Sequence, residues 1–321
     1  MPTIDHANEF AIGIDIGGTK TLVALVSNSG GVMRATRFAT QPENGQDSVL
    51  DRIGRAVTEL QDEAAALGGA VLGIGIASAG VLDTGRQRII YAANLGWRDV
   101  PIGERLSRHA GLPVKLGNDA SLAAVAEYIW GSRRTVVRDL IYVTVSTGIG
   151  AGIVSGGRLV EGSQGSAGEF GHITADPYGS ACGCGNYGCL ENYSSGTAIA
   201  TLANERLGPQ GDGSRWTARD VTEAADAGHA GALEIMKLAA FHLGNGLTSL
   251  IHLFNPQRIV LGGGVMASGL LLRETIRVTG ERAIPGMRKH VEIERTRLGE
   301  QLGVLGAAGL FYMNEQPESS K

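Results

Sequence analysis

The chain has 321 residues, of which 43% are hydrophobic and 19% charged, a composition that excludes an intrinsically disordered protein. Its formal net charge of −4 lacks the excess of lysine and arginine with which proteins neutralise nucleic-acid phosphates. Residues 1–10 lack the features of a signal peptide, and no apolar run reaches the ~18 residues of a membrane span. We therefore expect a cytoplasmic protein without a nucleic-acid or membrane partner.

Short apolar runs and glycine-rich turns predict two similar α/β segments. The first has predicted strands and helices in the order strand 10–15, strand 21–27, strand 32–40, helix 48–67, strand 71–77, strand 112–116 and a helix ending at 130. The second has strands at 140–146, 151–155 and 158–160, a polar loop at 207–220, a helix at 230–253, a strand at 258–261 and a helix at 303–312. Strands that alternate with helices predict parallel pairing. The strand–glycine loop–strand units near 10–26 and 140–155 indicate an internal duplication, although any two β-hairpins share this pattern.

Glycine is unusually frequent, with 49 residues, and collects where the predicted strands end. Residues 15–20 (Asp-Ile-Gly-Gly-Thr-Lys) offer backbone N–H groups, a hydroxyl and a cation to phosphate oxygens, and Asp15 is placed to hold Mg²⁺ through water. Residues 146–150 (Ser-Thr-Gly-Ile-Gly) repeat this chemistry, and the three glycines 262–264 form a third loop. Each loop alone is also typical of a plain turn. Together they predict a nucleotide-binding site.

All three cysteines lie close together, at Cys182, Cys184 and Cys189, and His172 lies ten residues before the first of them. Three thiolates and one imidazole form a closed tetrahedral set that is typical of structural zinc, and such soft ligands favour Zn²⁺ over Mg²⁺ or Ca²⁺. The spacing differs from the commoner C-x₂-C pattern. The alternative is three buried thiols, and the tight clustering favours zinc.

Three carboxylates are candidates for a binding site. Glu169 and Glu191 flank the cysteine cluster, where fixed carboxylates would suit the hydroxyls of a polyol; the alternative is two surface glutamates. Asp119 follows Asn118 between a predicted strand and a predicted helix. This position suits a helix cap, and it equally suits a base that accepts a hydroxyl proton during phosphoryl transfer.

These motifs together resemble the ROK family of sugar kinases and repressors over nearly the whole chain. The most specific part is Glu169-Phe-Gly-His172 followed by Cys-x-Cys-Gly-x-x-Gly-Cys-x-Glu, which ends at Glu191. The resemblance implies an α/β, actin/hexokinase-like (ribonuclease H-like) fold of two lobes with a ligand cleft between them. It also implies ATP with Mg²⁺, a structural zinc, and a homodimer or homotetramer. We divide the chain into a small lobe, 1–118 with about 304–321, and a large lobe, 119–303, that carries the zinc loop.

The resemblance also implies roles for single residues. Asp119 matches the general base, and His172 serves both sugar and zinc. Sugar hydroxyls are held by residues that match Gly80, Asn118, Asp119, Glu169, His172 and Glu191. Phosphate contacts are implied for Gly17, Gly18, Thr19, Lys20, Thr147 and Gly148, to which the chemistry of the loops adds Asp15, Gly263 and Gly264. The family usually has Pro-Gly where this chain has Ala79-Gly80, which leaves the stiffness of that loop open.

The resulting expectation is an enzyme that uses ATP to phosphorylate the 6-hydroxyl of a hexose, with glucose as the first choice. Kinases of N-acetylmannosamine or N-acetylglucosamine are the alternative, and polyphosphate as donor stays open. A sugar-sensing repressor would carry a helix-turn-helix before the sugar-binding part, whereas only nine residues precede the first predicted strand. An actin-like ATPase without a sugar substrate would have no use for the zinc loop and its glutamates.

Overall fold

The computed structural model describes residues 9–131 and 137–313. The chain forms two compact units, the first drawn from Met1–Val136, Arg158–Ala167 and Arg297–Lys321, the second from Val137–Gly157 and Gly168–Thr296. The first unit takes in the helix Asp119–Trp130 and also residues 158–167 and 297–303, all of which the prediction assigned to the large lobe. The predicted lobes themselves stay a prediction. Within the described ranges, no helix is both long enough and apolar enough to cross a lipid bilayer.

The strands are β1 (Glu9–Ile16), β2 (Lys20–Ser27), β3 (Val32–Ala39), β4 (Ala70–Ser78), β5 (Val81–Asp83), β6 (Arg88–Ala92), β7 (Trp97–Val100), β8 (Val114–Asn118), β9 (Leu140–Val145), β10 (Ile149–Ser155), β11 (Arg158–Leu159), β12 (Arg258–Gly262) and β13 (Glu292–Arg295). The helices are α1 (Gln46–Ala66), α2 (Ile102–Ala110), α3 (Asp119–Trp130), α4 (Glu191–Ser194), α5 (Gly196–Leu207), α6 (Ala218–Asp226), α7 (Ala230–Phe254), α8 (Gly269–Arg282), α9 (Pro285–Arg288) and α10 (Leu302–Gly309).

The main sheet of the first unit has the strand order β3-β2-β1-β4-β8. Strands β1, β2 and β3 pair antiparallel, whereas β1, β4 and β8 run parallel. In this register Asp15 lies opposite Ala77, and Ser78 lies opposite Asn118. The carboxyl ends of the three parallel strands therefore meet at one edge and bring Asp15 and Asn118 to it.

In the second unit, the strand order β10-β9-β12-β13 repeats the order of the four strands β2-β1-β4-β8. Strands β9 and β10 form an antiparallel hairpin, and β9, β12 and β13 run parallel. The two predicted strand–glycine loop–strand units are confirmed, and both occupy the same place in their sheets. The loops 146–148 and 262–264 follow the neighbouring strands β9 and β12.

The first sheet separates large from small side chains on its two faces. Ile12 and Ile14 of β1 pack with Ile53 and Leu60 of α1, as the helical spacing of α1 predicted. The opposite face of β1 and β4 carries glycines, because α10 lies directly against it. A Cβ at Gly13 would lie 2.0 Å from the carbonyl oxygen of Val304, and one at Gly75 would lie 1.8 Å from that of Ala307.

Sequence patterns missed the small antiparallel sheet β5-β6-β7. Its strands are three to five residues long, too short for a clear periodicity. The predicted loop at 207–220 is confirmed from Gly208 to Thr217, whereas Leu207 still belongs to α5. The loop prediction is wrong for the last three residues, because Thr217 and Asp220 form a capping box that starts α6 at Ala218.

Gly75→Ala should lower the free energy of unfolding by about 3 kcal/mol, because the new methyl group would meet backbone rather than a side chain that can rotate away. Chemical denaturation and soluble yield would measure the effect. Gly85→Ala in the same unit is the control, since its nearest neighbour would lie 3.5 Å away, at an ordinary contact distance. Equal stability of the two variants would contradict the close packing of α10.

Candidate functional site

Asn118 and Asp119 join β8 to α3 at the carboxyl edge of the first sheet. The Asn118 side chain accepts hydrogen bonds from the N–H groups of Ala120 (3.0 Å) and Ser121 (3.4 Å), so Asn118 is the helix cap. Asp119 Oδ1 accepts a further bond of 2.8 Å from the N–H of Ala120. The capping role therefore falls mainly on Asn118, and the start of α3 fixes the carboxyl group of Asp119.

Two carboxyl groups at this edge have unusual proton affinities. Burial, and after it the neighbouring Asp119, raise the pKa of Asp15 from 3.8 to about 6, while Lys20 opposes the shift. The surrounding protein also raises the pKa of Asp119 by displacing water, although the side chain itself stays exposed to solvent. The backbone N–H of Ala120 acts in the opposite direction. Raised pKa values in two neighbouring carboxyl groups are typical of functional carboxylates and also occur in structural ones.

The loop at Gly17–Lys20 is held by contacts within the first unit. The N–H of Gly17 donates to the carbonyl of Lys20 at 3.0 Å. The hydroxyl of Thr40 donates to the carbonyl of Gly17 at 2.6 Å, and the N–H of Thr40 donates to the carbonyl of Thr19 at 3.0 Å. A Cβ at Gly18 would lie 2.7 Å from the carbonyl oxygen of Asn94. These contacts within the protein shape the loop, and Thr19 and Lys20 stay exposed.

Gly80 follows β4 with a φ of +120°. A Cβ at this position would lie 2.3 Å from the carbonyl oxygen of Tyr91 in β6. Both observations require glycine at position 80, whether or not a sugar lies against it.

In the second unit, Glu191 is tied to the glycine loop after β9. The N–H of Ile149 donates to Glu191 Oε2 at 2.8 Å, and a Cβ at Gly148 would lie 2.5 Å from the same oxygen. The carbonyl of Thr147 accepts bonds from the hydroxyl (2.9 Å) and N–H (3.3 Å) of Thr197 at the start of α5. The sequence placed Glu191 with the sugar and Gly148 with the phosphates, and the structure brings the two together.

The four predicted zinc ligands lie together. The ligand atoms of His172, Cys182, Cys184 and Cys189 are all within 4.8 Å of one another. Nδ1 of His172 lies 3.7 Å from Sγ of Cys182, and Sγ of Cys184 lies 3.6 Å from Sγ of Cys189. Zinc bonds of about 2.3 Å to sulfur and about 2.0 Å to nitrogen put tetrahedral ligands about 3.5–3.8 Å apart. The donor set and these spacings therefore fit a zinc ion.

The flanking glutamates lie on either side of this cluster. Nε2 of His172, the ring nitrogen that faces away from Cys182, lies 3.9 Å from a carboxylate oxygen of Glu169. Glu191 begins α4 two residues after Cys189, which is fully buried along with Leu190. The loop between them is closed by backbone hydrogen bonds such as Leu190 N–H to Ile173 O at 2.9 Å. The fold of this loop therefore decides where both carboxylates lie.

A cavity of about 890 Å³ opens in the second unit beside the loops that follow β9 and β12. Thr147 and Gly264 line it, together with Thr197 of α5 and the segment Arg215–Ala218 before and at the start of α6. Gly263 is absent from this lining. Its φ of +89° and a Cβ that would lie 2.2 Å from the carbonyl oxygen of Val145 give it a backbone role instead. A second cavity of about 590 Å³ shares Thr147 and Thr197 and reaches Gly148 and Glu191.

Sequence reasoning missed the segment around Trp216, whose indole N–H donates to the carbonyl of Gly208 at 2.9 Å. The only local signal was the Thr217–Asp220 capping box, which predicts a helix start and not a ligand. The cavity becomes visible only when α5, α6 and the glycine loops are placed side by side.

A model of the ROK family matches residues 11–314. A glucokinase of Halalkalibacterium halodurans is 32% identical over an alignment of 320 positions that covers 96% of this chain and 97% of that protein. The ROK hexokinase of Thermus thermophilus has a similar structure, with a TM-score of 0.83 and 34% identity over 95% of this chain and 99% of its own. A ROK family glucokinase from Streptomyces griseus, solved in complex with glucose and AMPPNP, matches with a TM-score of 0.74 and 34% identity over 94% and 98% of the two chains.

The raised pKa of Asp15 predicts a pH-dependent stability. Below pH 3.8 the group is protonated in both folded and unfolded chains. As the pH rises towards about 6 the folded state alone keeps the proton, so stability falls across this window. Asp15→Asn removes this loss and should be more stable than the wild type by about 2–3 kcal/mol at pH 7, and by little near pH 3.5.

Denaturant unfolding across that pH range would measure the difference. Asp51→Asn is the control, since Asp51 is exposed on α1. A stability difference for Asp15→Asn that does not change with pH would contradict the raised pKa.

Proposed function

The chain belongs to the ROK family, and we propose that it is a kinase that uses ATP to phosphorylate the 6-hydroxyl of glucose. Its fold is the α/β, actin/hexokinase-like fold that the sequence motifs implied. Two of its relatives are named glucokinases, one of them with glucose and an ATP analogue bound. The observation that carries the proposal is the bond from Ile149 to Glu191, because it joins a proposed sugar carboxylate to a proposed phosphate loop.

In the first unit, we assign the general base to Asp119. The proton of the 6-hydroxyl passes to its carboxylate while O6 bonds to the γ-phosphorus, and the bond to the β,γ-bridging oxygen breaks to release ADP. A carboxylate of raised pKa is a stronger proton acceptor than an ordinary aspartate. The start of α3 and the cap at Asn118 hold this group in place before the sugar arrives.

We assign the sugar contacts of the second unit to Glu169, His172 and Glu191. Each ionised carboxylate accepts hydrogen bonds from neighbouring hydroxyls of a pyranose ring. The imidazole of His172 presents one nitrogen to the thiols and the other towards Glu169, so that it can take part in both sites. In the first unit, Asn118 and Gly80 are assigned to the same substrate.

The cavity of about 890 Å³ is assigned to the nucleoside part of ATP. Its volume lies in the range of ordinary ligand pockets, and the side chain of Trp216 offers a surface on which a base can stack. Thr147 lines the cavity and precedes Gly148, so we assign the phosphates to the side of the cavity towards Glu191. The loop Gly17–Lys20 and Asp15 are the proposed phosphate and Mg²⁺ contacts of the first unit. A bound Mg²⁺ would offset the negative charge of the phosphates.

The cysteine cluster is assigned to a structural zinc. Four protein ligands close the coordination sphere and leave no position for a substrate. The ion would therefore hold the loop that ends at Glu191, and it would take no part in phosphoryl transfer. A cytoplasmic homodimer or homotetramer stays a prediction from the resemblance, which light scattering and fractionation can test.

Asp119→Asn should lower kcat at least about 100-fold while glucose still binds, because the variant keeps the shape of the side chain but accepts no proton. A coupled assay with glucose, mannose, N-acetylglucosamine and N-acetylmannosamine would measure this and should give the highest kcat/KM with glucose. Asp51→Asn is the control and should match the wild type.

Three outcomes would contradict parts of this proposal. Turnover of Asp119→Asn like that of the wild type would remove Asp119 as the base. Faster turnover of an acylated amino sugar would replace glucose as the substrate. ATP hydrolysis that is equally fast without any sugar would favour an ATPase.

Cys184→Ser should lose most of the bound zinc, melt at a lower temperature and bind glucose more weakly, because the cluster fixes the position of Glu191. Metal analysis of the wild type should find about one zinc per chain. Tyr187→Ser is the control, because Tyr187 lies in the same loop and its side chain is exposed. A wild type that is folded and active without zinc would contradict the assignment of a structural zinc. If Cys184→Ser lowered only the melting temperature, the zinc would have no role in sugar binding.

A further inference from the structure

Two cations and one carboxylate meet beside the first glycine loop. Nζ of Lys20 lies 3.9 Å from Oε2 of Glu300, and the guanidinium of Arg37 donates to the same oxygen. Arg37 lies opposite Leu22 on the neighbouring strand, and Leu22 is two residues after Lys20, so both cations project from the same face of the sheet.

The segment that carries Glu300 contacts both ends of this loop. Glu300 lies in a 3₁₀ turn, Gly299–Gln301, directly before α10. At the Lys20 end the contact is the ion pair itself. At the Asp15 end, Gly303 lies so close that a Cβ there would be 2.4 Å from Oδ2 of Asp15. Glu300 therefore lies where an anion bound by the loop would come.

We propose that the Glu300 carboxylate occupies an anion position formed by Lys20 and Arg37, and that it thereby weakens binding of the phosphate chain of the phosphoryl donor. The ligand class is a condensed phosphate, which is the triphosphate of ATP or an inorganic polyphosphate. The inference rests on the proposed kinase function and adds Arg37 and Glu300 to it.

The charges at this position are suited to such an exchange. The two cations outnumber the one carboxylate, so the group keeps about one positive charge. The bond from Arg37 and the nearby Lys20 hold the pKa of Glu300 below its usual value, which keeps its carboxylate charged at neutral pH. All three side chains are half or more exposed, at 54% for Lys20, 50% for Arg37 and 68% for Glu300. Exposed ion pairs are weak, and a chain of several phosphate charges can displace this one.

An ordinary surface ion pair is the competing interpretation, and the same strand provides one for comparison. Arg34 of β3 bonds to Glu63 of α1 at 2.7 Å, and these side chains are 51% and 30% exposed. This pair has one cation instead of two, and it lies at the opposite end of β3 from the glycine loop. Glu63→Gln therefore removes the partly exposed carboxylate of α1 that pairs with β3, without touching the proposed anion position.

The test compares Glu300→Gln, Glu63→Gln and the wild type as full-length proteins. Calorimetry would measure the Kd of inorganic tripolyphosphate with Mg²⁺, and the coupled assay would measure KM for MgATP and kcat with glucose. We expect Glu300→Gln to bind tripolyphosphate about two- to fivefold more tightly than the wild type, and Glu63→Gln to behave like the wild type. The increase in tripolyphosphate affinity should shrink in high salt, and it should disappear when Arg37→Gln is combined with Glu300→Gln.

The two probes separate the two sources of phosphate. A lower KM for MgATP together with tighter tripolyphosphate binding assigns the position to the triphosphate of ATP. Tighter binding of tripolyphosphate alone assigns it to an inorganic polyphosphate. Unchanged or weaker binding in Glu300→Gln, or an equal gain in Glu63→Gln, overturns the proposal. Calorimetry needs no catalysis, so it tests whether Glu300 weakens phosphate binding even if the wild type phosphorylates no sugar.

Discussion

The hydrogen bond of 2.8 Å from Ile149 to Glu191 connects two segments of the second unit that are 42 residues apart in the sequence. It exists because Gly148 has no side chain, since a Cβ would lie 2.5 Å from the acceptor oxygen. The same glutamate begins α4 just after the last cysteine of the cluster. The cysteine loop, the glycine loop after β9 and the second cavity therefore share one carboxylate, and a shift in any of them displaces the other two.

The two units use one strand order for different tasks. In the first, the strand edge carries Asp15 and Asp119, and the following loop carries Lys20, so charged groups dominate. In the second, the corresponding hairpin carries Ser146 and Thr147, and the acid at the loop is supplied from outside the hairpin by Glu191. A repeated backbone thus places glycine loops at equivalent edges, while the side chains around each loop decide what it can bind.

Nine of the thirteen described strands and four of the ten described α-helices were predicted because their signals are local, whereas helices such as α2, α5 and α8 were missed. The apolar runs of β1, β4 and β12, the helical spacing of α1 and the cysteine cluster are all visible within about twenty residues. Arg37 and Glu300 are 263 residues apart, and nothing near either of them indicates the other. The cavity around Trp216 also combines elements that are distant in the sequence. Such sites depend on which strands become neighbours, and periodicity cannot show this. The roles of the predicted site residues stay predictions, because geometry places a side chain without showing what it binds.

Asp15 illustrates why a proposed site residue can oppose the stability of the fold that holds it. Small residues at Ala11 and Gly13 let α10 approach β1, and Asp15 is the next residue on this face. A carboxylate there is desolvated and lies near a second one at Asp119, which is why its pKa rises to about 6. Above that pH the ligand-free fold holds two like charges at one edge, and Lys20 offsets them only in part. A cation bound at this edge would relieve the repulsion, so the strain that lowers the stability of the free protein strengthens the binding of the cation.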